Sequence, residues 1–339
     1  MDSEQTLDKA LRISENLCES KTVNVAPIEG GRNSRIFRVE TSDNVYALKF
    51  FRPDKNGKME RFEAETTALR IFKENGIAVT PKIMAEDRNN NCSLMEWIEG
   101  DQVLEYGAVE IKALASFVKN VHKISTNEKY RKVRYATETC LNGDEIVMQV
   151  KNRLKRLESS KNQYPELREL LDNNLMPAFD EITEWSRSAY FQMGMDFSDN
   201  ISFEKQTLSL VDIGFHNTLR KNGTLYFFDF EFFGWDDPAH LISDTLWHPG
   251  MSLRTENRKV FCSNVVDVFS NDDQFFTRLH AQFPLYGFRW CMIMLNVFLR
   301  DYKSFKKDDS ITKTNQIKKV KLLLDRIKNH QSELKDITS

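Results

Sequence analysis

The chain has 339 residues, 40% of them hydrophobic and 29% charged, and a formal net charge of −2. That length suits one large domain or two ordinary ones, and the near-balanced charge excludes the basic footprint of a nucleic-acid-binding protein. No stretch approaches the run of about 18 apolar residues that a membrane helix needs.

The five cysteines, Cys18, Cys92, Cys140, Cys262 and Cys291, are scattered and lack C-x-x-C spacing. This argues against a disulfide framework or a zinc site and fits a reducing cytoplasm. The first segment, MDSEQTLDKALRISENL, is charged, helical in pattern and without an apolar signal core. VNVAPIEGG is broken by a glycine pair, IFRVET and NVYALKFF alternate as half-buried strands do, and TSDN between them has hairpin chemistry. From Lys58 the pattern turns helical. Phe62, Leu69, Ile71 and Phe72 lie near helical spacing, and Gly76 is placed to end the helix. IAVTPKIMAEDRNNNCSLMEWIEG reads as two further strands around an asparagine-rich turn. Residues 1–100 therefore predict a small antiparallel β-sheet lobe with one helix.

Beyond Gly100 the pattern is helical. Ile111, Leu114, Phe117, Val118 and Val121 form one stripe. EIVMQVKNRLKRLE, ELRELLDNNLMPAFDEITEW, AHLISDTLW, RKVFCSNVVDVF, LYGFRWCMIMLNVFLRDY and QIKKVKLLLDRIK also read as helices. Residues 101–339 predict a larger, mainly helical lobe, so the fold class is α+β with two lobes joined near Glu96 to Asp101.

One segment breaks this helical run, LVDIGFHNTLRKNGTLYFFDFEFFGWDDP at 210–238. Asp212 is followed five residues later by Asn217; the turn KNGT then separates two apolar runs, and the second run ends in Asp229. Asn217 and Asp229 offer the hard oxygens that Mg²⁺ takes. Asp229 stands among phenylalanines, where a carboxylate is costly without a cation, the alternative being an acid that caps a turn. Asp212 is suited to accept a hydrogen bond from a hydroxyl and orient it for in-line attack on a phosphate. A lone aspartate would carry no weight; the D-x-x-x-x-N spacing followed by strand, turn, strand and Asp does.

Two further features fit the same chemistry. Lys49 lies among Val, Ala, Leu and Phe, where a charge must snorkel or be paired. Glu65 on the following helix is the natural partner and would aim the ammonium at phosphates; the other reading is an edge-strand lysine facing water. In EGGRNSRIF, the residues Gly30, Gly31, Asn33 and Ser34 let backbone N–H groups approach phosphate oxygens, or simply make a tight turn. No G-x-x-x-x-G-K-[ST] motif occurs, so this is not a Walker A loop.

The series runs from the glycine-rich loop through the A-L-K strand, the helix Glu, L-M-E-W and D-x-x-x-x-N to F-D-F-E. It resembles the aminoglycoside phosphotransferase and choline kinase group, small-molecule kinases with a protein-kinase-like fold. The resemblance covers roughly residues 23–250, and the 284–302 helix is similar to the C-terminal part of such enzymes. It implies ATP and Mg²⁺ as cofactors, a nucleotide-binding lobe at 1–100 and a catalytic, substrate-binding lobe at 101–339, with Lys49 on the α/β-phosphates and paired to Glu65. It further implies Asp212 as catalytic base, Asn217 and Asp229 as metal ligands, and adenine bound through the backbone of Glu96 and Ile98. FGWDDP is similar to the family's G-D-P segment.

The chain departs from the family's H-G-D-x-x-x-x-N at Ser209, Leu210 and Val211. The family's histidine supports loop geometry, and Leu210 replaces it here. His216, just before Asn217, is unusual too; it either reaches substrate or packs the loop. Gly214 stands where eukaryotic-type protein kinases carry lysine, and no A-P-E-like segment follows Asp229, which leans away from protein substrates.

The resemblance places a small-molecule hydroxyl acceptor on the helical lobe and makes Trp235, Asp237, Trp247, His248 and Arg289 its candidates, with Asp236, Asp244, Trp290 and Asn296 beside them. Bland readings stand next to these. Asp237 before Pro238 caps a helix, Trp290 is core, and the basic run KNRLKRL is a solvated face. QIKKVKLLLDRIK is amphipathic and packs on its own lobe or on a partner. The expected function is ATP-dependent phosphorylation of a sugar, amino sugar, aminoglycoside or amino alcohol, with a surface-sugar or polysaccharide precursor placed ahead of an aminoglycoside. A pseudokinase that binds nucleotide without turnover is the alternative, and a protein kinase ranks below it. Neither nucleic acid nor a membrane span is expected, and the sequence does not set the oligomeric state.

Overall fold

Alternating apolar residues build the N-terminal sheet, and the buried side of that alternation packs on a helix. A computed structural model describes residues 3–18, 20–28, 34–53, 60–299, 309–331 and 333–334. In it, α1 (Ser3–Leu17) precedes β1 (Thr22–Ile28), β2 (Ser34–Thr41) and β3 (Val45–Phe51). Next come α2 (Glu60–Glu74), β4 (Ile83–Asp87) and β5 (Cys92–Glu96). The five strands form one sheet in the order β1-β2-β3-β5-β4, and every neighbouring pair is antiparallel. Ala10 and Ile13 of α1 join Phe37, Val39, Leu48, Cys92 and Leu94 in one buried cluster. The charged opening segment thus adds a second helix to the one expected within residues 1–100.

Local chemistry explains the breaks. Gly76 takes φ 72°, and Ile77 N–H donates to Phe72 O at 2.9 Å, the helix-ending bond that an αL glycine permits. In the turn before β5, Asn91 takes φ 52° and its Nδ2 donates to Phe51 O at 2.7 Å.

The chain divides into two compact units, Met1–Tyr106 with Lys123–Thr137 and Leu210–Trp235, and Gly107–His122 with Glu138–Ser209 and Asp236–Ser339. The segment 210–235 therefore clusters with the β-sheet. Its hairpin pairs Thr218–Lys221 with Thr224–Phe227 through Asn222 (φ 51°) and Gly223 (φ 79°), both left-handed as a two-residue turn demands. Asp101 and Gln102 pair with Arg220 and Leu219, and Phe227 N–H donates to Val79 O at 2.9 Å. Gly100 lies so close to this hairpin that an added Cβ would stand 2.8 Å from Arg220 O.

In the second unit, Phe275–Met294 is the central helix and packs against Gly143–Lys161, Met176–Gln192, Pro238–Trp247 and Asp309–Lys328. It starts ten residues before the sequence pattern suggests and carries Pro284 inside it. The proline reads as a breaker, yet burial of nearly the whole helix lets packing override that local preference. Pro165–Leu170 runs through a π turn, Leu171–Leu175, into Met176–Gln192. The stripe Ile111, Leu114, Phe117, Val118 and Val121 is buried on the helix Ala108–Ser125. Lys151, Lys155 and Arg156 are exposed, so the run KNRLKRL is a solvated face. All five cysteines are free, and among the described residues no helix is long and apolar enough to cross a membrane.

Candidate active site

Lys49 occupies the central strand β3, opposite Ile36 on one side and Ser93 on the other, and is 2% exposed. An edge lysine facing water is therefore ruled out. Its Nζ lies 2.5 Å from Glu65 Oε2 and 2.7 Å from Asp229 Oδ1. One ammonium thus joins the sheet, α2 and the end of the 218–227 hairpin. Burial alone would depress its pKa, but the Asp229, Glu65 and Glu231 carboxylates overcome burial and hold it well above the ordinary lysine value. Burial pushes the Glu65 carboxyl up to about 7, with Lys49 drawing it back down. The two directions disagree about how ionic the pair is. At 2.5 Å the geometry fits an ionised carboxylate against the ammonium, the form Glu65 takes once pH rises above about 7.

Glu231 was left unassigned by sequence reasoning. It is 2% exposed, acts electrostatically on both Lys49 and Glu65, and lies 3.7 Å from Arg61 Nε. The signal was present in FFDFEFF, where the cost argument made for Asp229 applies equally to the acid two residues on. Glu65 and Asp229 thus close on the Lys49 ammonium, and Glu231 lies beside them within reach of Arg61.

The hairpin register places the expected metal ligands side by side. Thr218 pairs with Phe227, and Phe228 N–H donates to Asn217 O at 3.1 Å, so Asn217 and Asp229 flank the open end of the ladder. Asn217 Nδ2 donates to the Asp212 carbonyl at 3.2 Å, which orients the amide and directs its Oδ1 elsewhere. A neutral and an anionic hard oxygen on adjacent strand ends suit Mg²⁺. Asp229 is 31% exposed at its side chain, so its second oxygen can be approached.

Asp212 (φ 66°) and Asp229 (φ 69°) both adopt the left-handed backbone region. That region is uncommon for residues other than glycine, and its cost is characteristic of functional sites. Asp212 is one-third exposed at its side chain and lies 3.5 Å from His216 Nε2. The turn between them is secured by Ile213 N–H to Leu210 O at 3.0 Å and by Thr218 Oγ1 to Gly214 O at 2.9 Å. Phe215 is buried with its ring 4.4 Å from that of Tyr106. Leu210, at the position of the family's histidine, is 2% exposed; apolar packing anchors the loop there.

Of the expected phosphate cover, Gly30, Gly31 and Asn33 lie outside the described residues. Ser34 is buried at the start of β2, opposite Phe51. Glu96 ends β5 and its N–H donates to Lys82 O at 2.8 Å, while the Ile98 side chain is buried.

The acceptor candidates are of a different kind. Trp235 is 2% exposed and its Nε1 donates to Tyr130 O at 3.1 Å. Asp237 is fully buried; its Oδ1 caps Ala239 N–H at 2.9 Å, and its Oδ2 meets Arg278 Nε at 2.9 Å. Trp247 Nε1 donates to Phe283 O at 2.7 Å. Arg289 is paired with Asp244 at 2.9 Å. His248 Nδ1 accepts from Gly250 N–H at 3.0 Å, and its ring stands edge-on to Trp290. The polar atoms named here are engaged inside the protein, and Asp237 has the helix-capping role that the sequence left open.

Comparison with known proteins is consistent with this geometry. No curated protein matches the sequence. Among solved structures, choline kinase from Cryptosporidium parvum Iowa II is similar over 98% of each chain, with 13% identity and a TM-score of 0.59. Spectinomycin phosphotransferase, solved with ADP and spectinomycin, is similar over 96% of this chain and 98% of its own, at 11% identity and a TM-score of 0.63. An amicoumacin kinase solved with AMP-PNP and Ca²⁺ is similar over 96% and 94% of the two chains, at 14% identity and a TM-score of 0.59. At these identities the likeness is one of fold, and that fold is the kinase-like α+β architecture. A family model described as "Phosphotransferase enzyme family" matches residues 24–261. The chain belongs to that phosphotransferase family.

Proposed function

We propose that this protein is an ATP- and Mg²⁺-dependent kinase that phosphorylates a hydroxyl of a small molecule. The observation that carries the proposal is the buried Lys49 ammonium, held 2.5 Å from Glu65 and 2.7 Å from Asp229. A charge in the middle of a sheet is maintained only by such partners, and the second of them, Asp229, stands just past the Thr218–Phe227 hairpin. Lys49 would contact the α/β-phosphates with Glu65 fixing its position. The backbone of Gly30, Gly31, Asn33 and Ser34 would cover them, and the backbone at Glu96 and Ile98 would take the adenine.

Asn217 Oδ1 and Asp229 would hold Mg²⁺, which when bound neutralises phosphate charge. Asp212 accepts a hydrogen bond from the acceptor hydroxyl and orients its oxygen toward the γ-phosphorus. The new O–P bond forms as the bond to the β–γ bridging oxygen breaks, ADP leaves, and the hydroxyl proton passes to Asp212. We place nucleotide binding in a lobe of residues 1–100 and acceptor binding in 101–339, in a cytoplasmic protein. Trp235, Asp237, Trp247, His248 and Arg289 then shape the acceptor side by fixing its framework through the internal hydrogen bond that each of them makes.

A sugar, amino sugar, aminoglycoside or amino alcohol is the acceptor class, in keeping with structural neighbours named for choline, spectinomycin and amicoumacin. The test is ATP consumption by the purified protein with Mg²⁺ against a panel of these four classes. Turnover with one class is expected. Clear nucleotide binding with no turnover on any of them would replace the proposal with a pseudokinase.

A further inference from the structure

We infer that His216 is a positioning residue for Asp212, a role that rests on the reading of Asp212 as the base. Two consecutive residues hold opposite ends of that aspartate. Asn217 Nδ2 grips its backbone carbonyl at 3.2 Å, and His216 Nε2 faces its carboxylate Oδ1 at 3.5 Å. The 3-10 turn Phe215–Asn217 brings the imidazole back over the acid four residues earlier. Phe215 fixes the turn from below through Tyr106.

The bland reading of His216 as loop packing fits poorly. A packing histidine is buried against its neighbours, whereas 28% of this side chain is exposed, beside a carboxylate that is itself 33% exposed. A base must be placed within about 0.5 Å of its productive position, and for a carboxylate one-third exposed the groups that face it do the placing. Asp212 adds left-handed backbone strain at φ 66°, so its side chain gains from a fixed partner. Leu210 is apolar and buried and offers no such partner. The separation of 3.5 Å exceeds a formed N–H···O bond by a few tenths of an ångström, and catalytic hydrogen bonds commonly tighten when substrate is bound. Donation from Nε2–H to Oδ1 would direct the carboxylate while Nδ1 acts as acceptor.

The test combines kinetics with a spectroscopic readout. With the acceptor identified by the panel, H216A should lower kcat about tenfold or more, within the roughly 10²-fold that a 1 Å misplacement costs. KM for ATP and for the acceptor should stay near wild type. H216Q keeps an N–H donor at similar reach and should recover most of kcat. In a D212N background, H216A should add nothing. Unchanged kcat, a raised acceptor KM with intact kcat, or an additive double mutant would each overturn the role while leaving the kinase reading standing. Independently of turnover, ¹⁵N spectra should show the neutral His216 ring as the Nε2–H tautomer, identified by its loss in H216Q, and the tautomer should redistribute in D212A. A tautomer indifferent to D212A overturns the contact. A wild-type protein without turnover on any acceptor removes the base reading, and the positioning role with it.

Discussion

Two groups of buried charge in this protein are built on different terms. Around Lys49, Glu65 and Asp229 close on one ammonium at 2.5 and 2.7 Å, Asp229 is about one-third exposed, and it sits on a left-handed backbone. Around Arg278 in the helical unit, Asp237 and Asp272 close on one guanidinium at 2.9 and 2.6 Å, Lys205 lies 3.0 Å from Asp272, and Asp237 also caps a helix. Arg278 and Asp237 are almost completely buried. The second group is closed, and it locks Pro238–Trp247 to Phe275–Met294. The first keeps an approachable carboxylate oxygen on Asp229, which a structural pair does not need and a metal site does.

Substitution should separate the two groups. The largest effect is expected from D212N, which should lower kcat by about 10²- to 10⁴-fold, the range for a lost general base, with nucleotide binding retained. Steady-state kinetics beside nucleotide titration checks it, and unchanged turnover would remove Asp212 from the base role. D229A should abolish Mg²⁺-dependent nucleotide binding while the fold, followed by denaturant unfolding, survives. R278A should do the reverse. Leaving buried Asp237 without its cation should cost about 3–5 kcal/mol of stability, seen as a lower denaturant midpoint, with nucleotide affinity little changed in the folded fraction. If both variants lost nucleotide binding and stability together, the distinction between an open and a closed cluster would fail.

The smallest effect concerns pH. Burial raises the Glu65 carboxyl to about 7, well above its ordinary value of 4.5. Between those values the native state therefore binds more protons than the unfolded chain. The contribution is fully present below about 4.5 and is lost as pH rises through about 7. Denaturant midpoints of wild type and E65Q, measured at pH 5 and pH 8, should show a wild-type loss with rising pH that the variant lacks. A difference between the two proteins that is the same at both pH values would contradict the assignment.

How much of this was legible in the sequence follows from which residues obey a one-way rule. Lys49, Glu65 and Asp229 could be picked out because a charge inside an apolar run must find a partner wherever the chain folds. The strands, their turns at Asn91 and Gly223, and the end of α2 at Gly76 were legible because left-handed backbone has few residue types to choose from. Glu231 obeyed the rule that identified Asp229 and was overlooked beside it. The left-handed backbone of Asp212 was not legible, since an aspartate's φ is set by the packing of Phe215 and the bond from Asn217, not by its own side chain. Nor was the approach of His216 to Asp212, which needs the 3-10 turn. The acceptor side was least legible. Tryptophan and aspartate in a helical region serve equally as ligands, caps and core anchors, and Trp235, Asp237 and Trp247 proved to be engaged within the framework.

The most direct measurement of the central claim is transfer of the γ-phosphoryl group from Mg·ATP to an acceptor hydroxyl, followed in wild type and D212N alongside Mg·nucleotide affinity. The account expects equal affinity in the two proteins and a phosphorylated acceptor formed at an appreciable rate by wild type alone. Equal rates in both, or tight nucleotide binding with no phosphorylated product from wild type on any acceptor class, would contradict it.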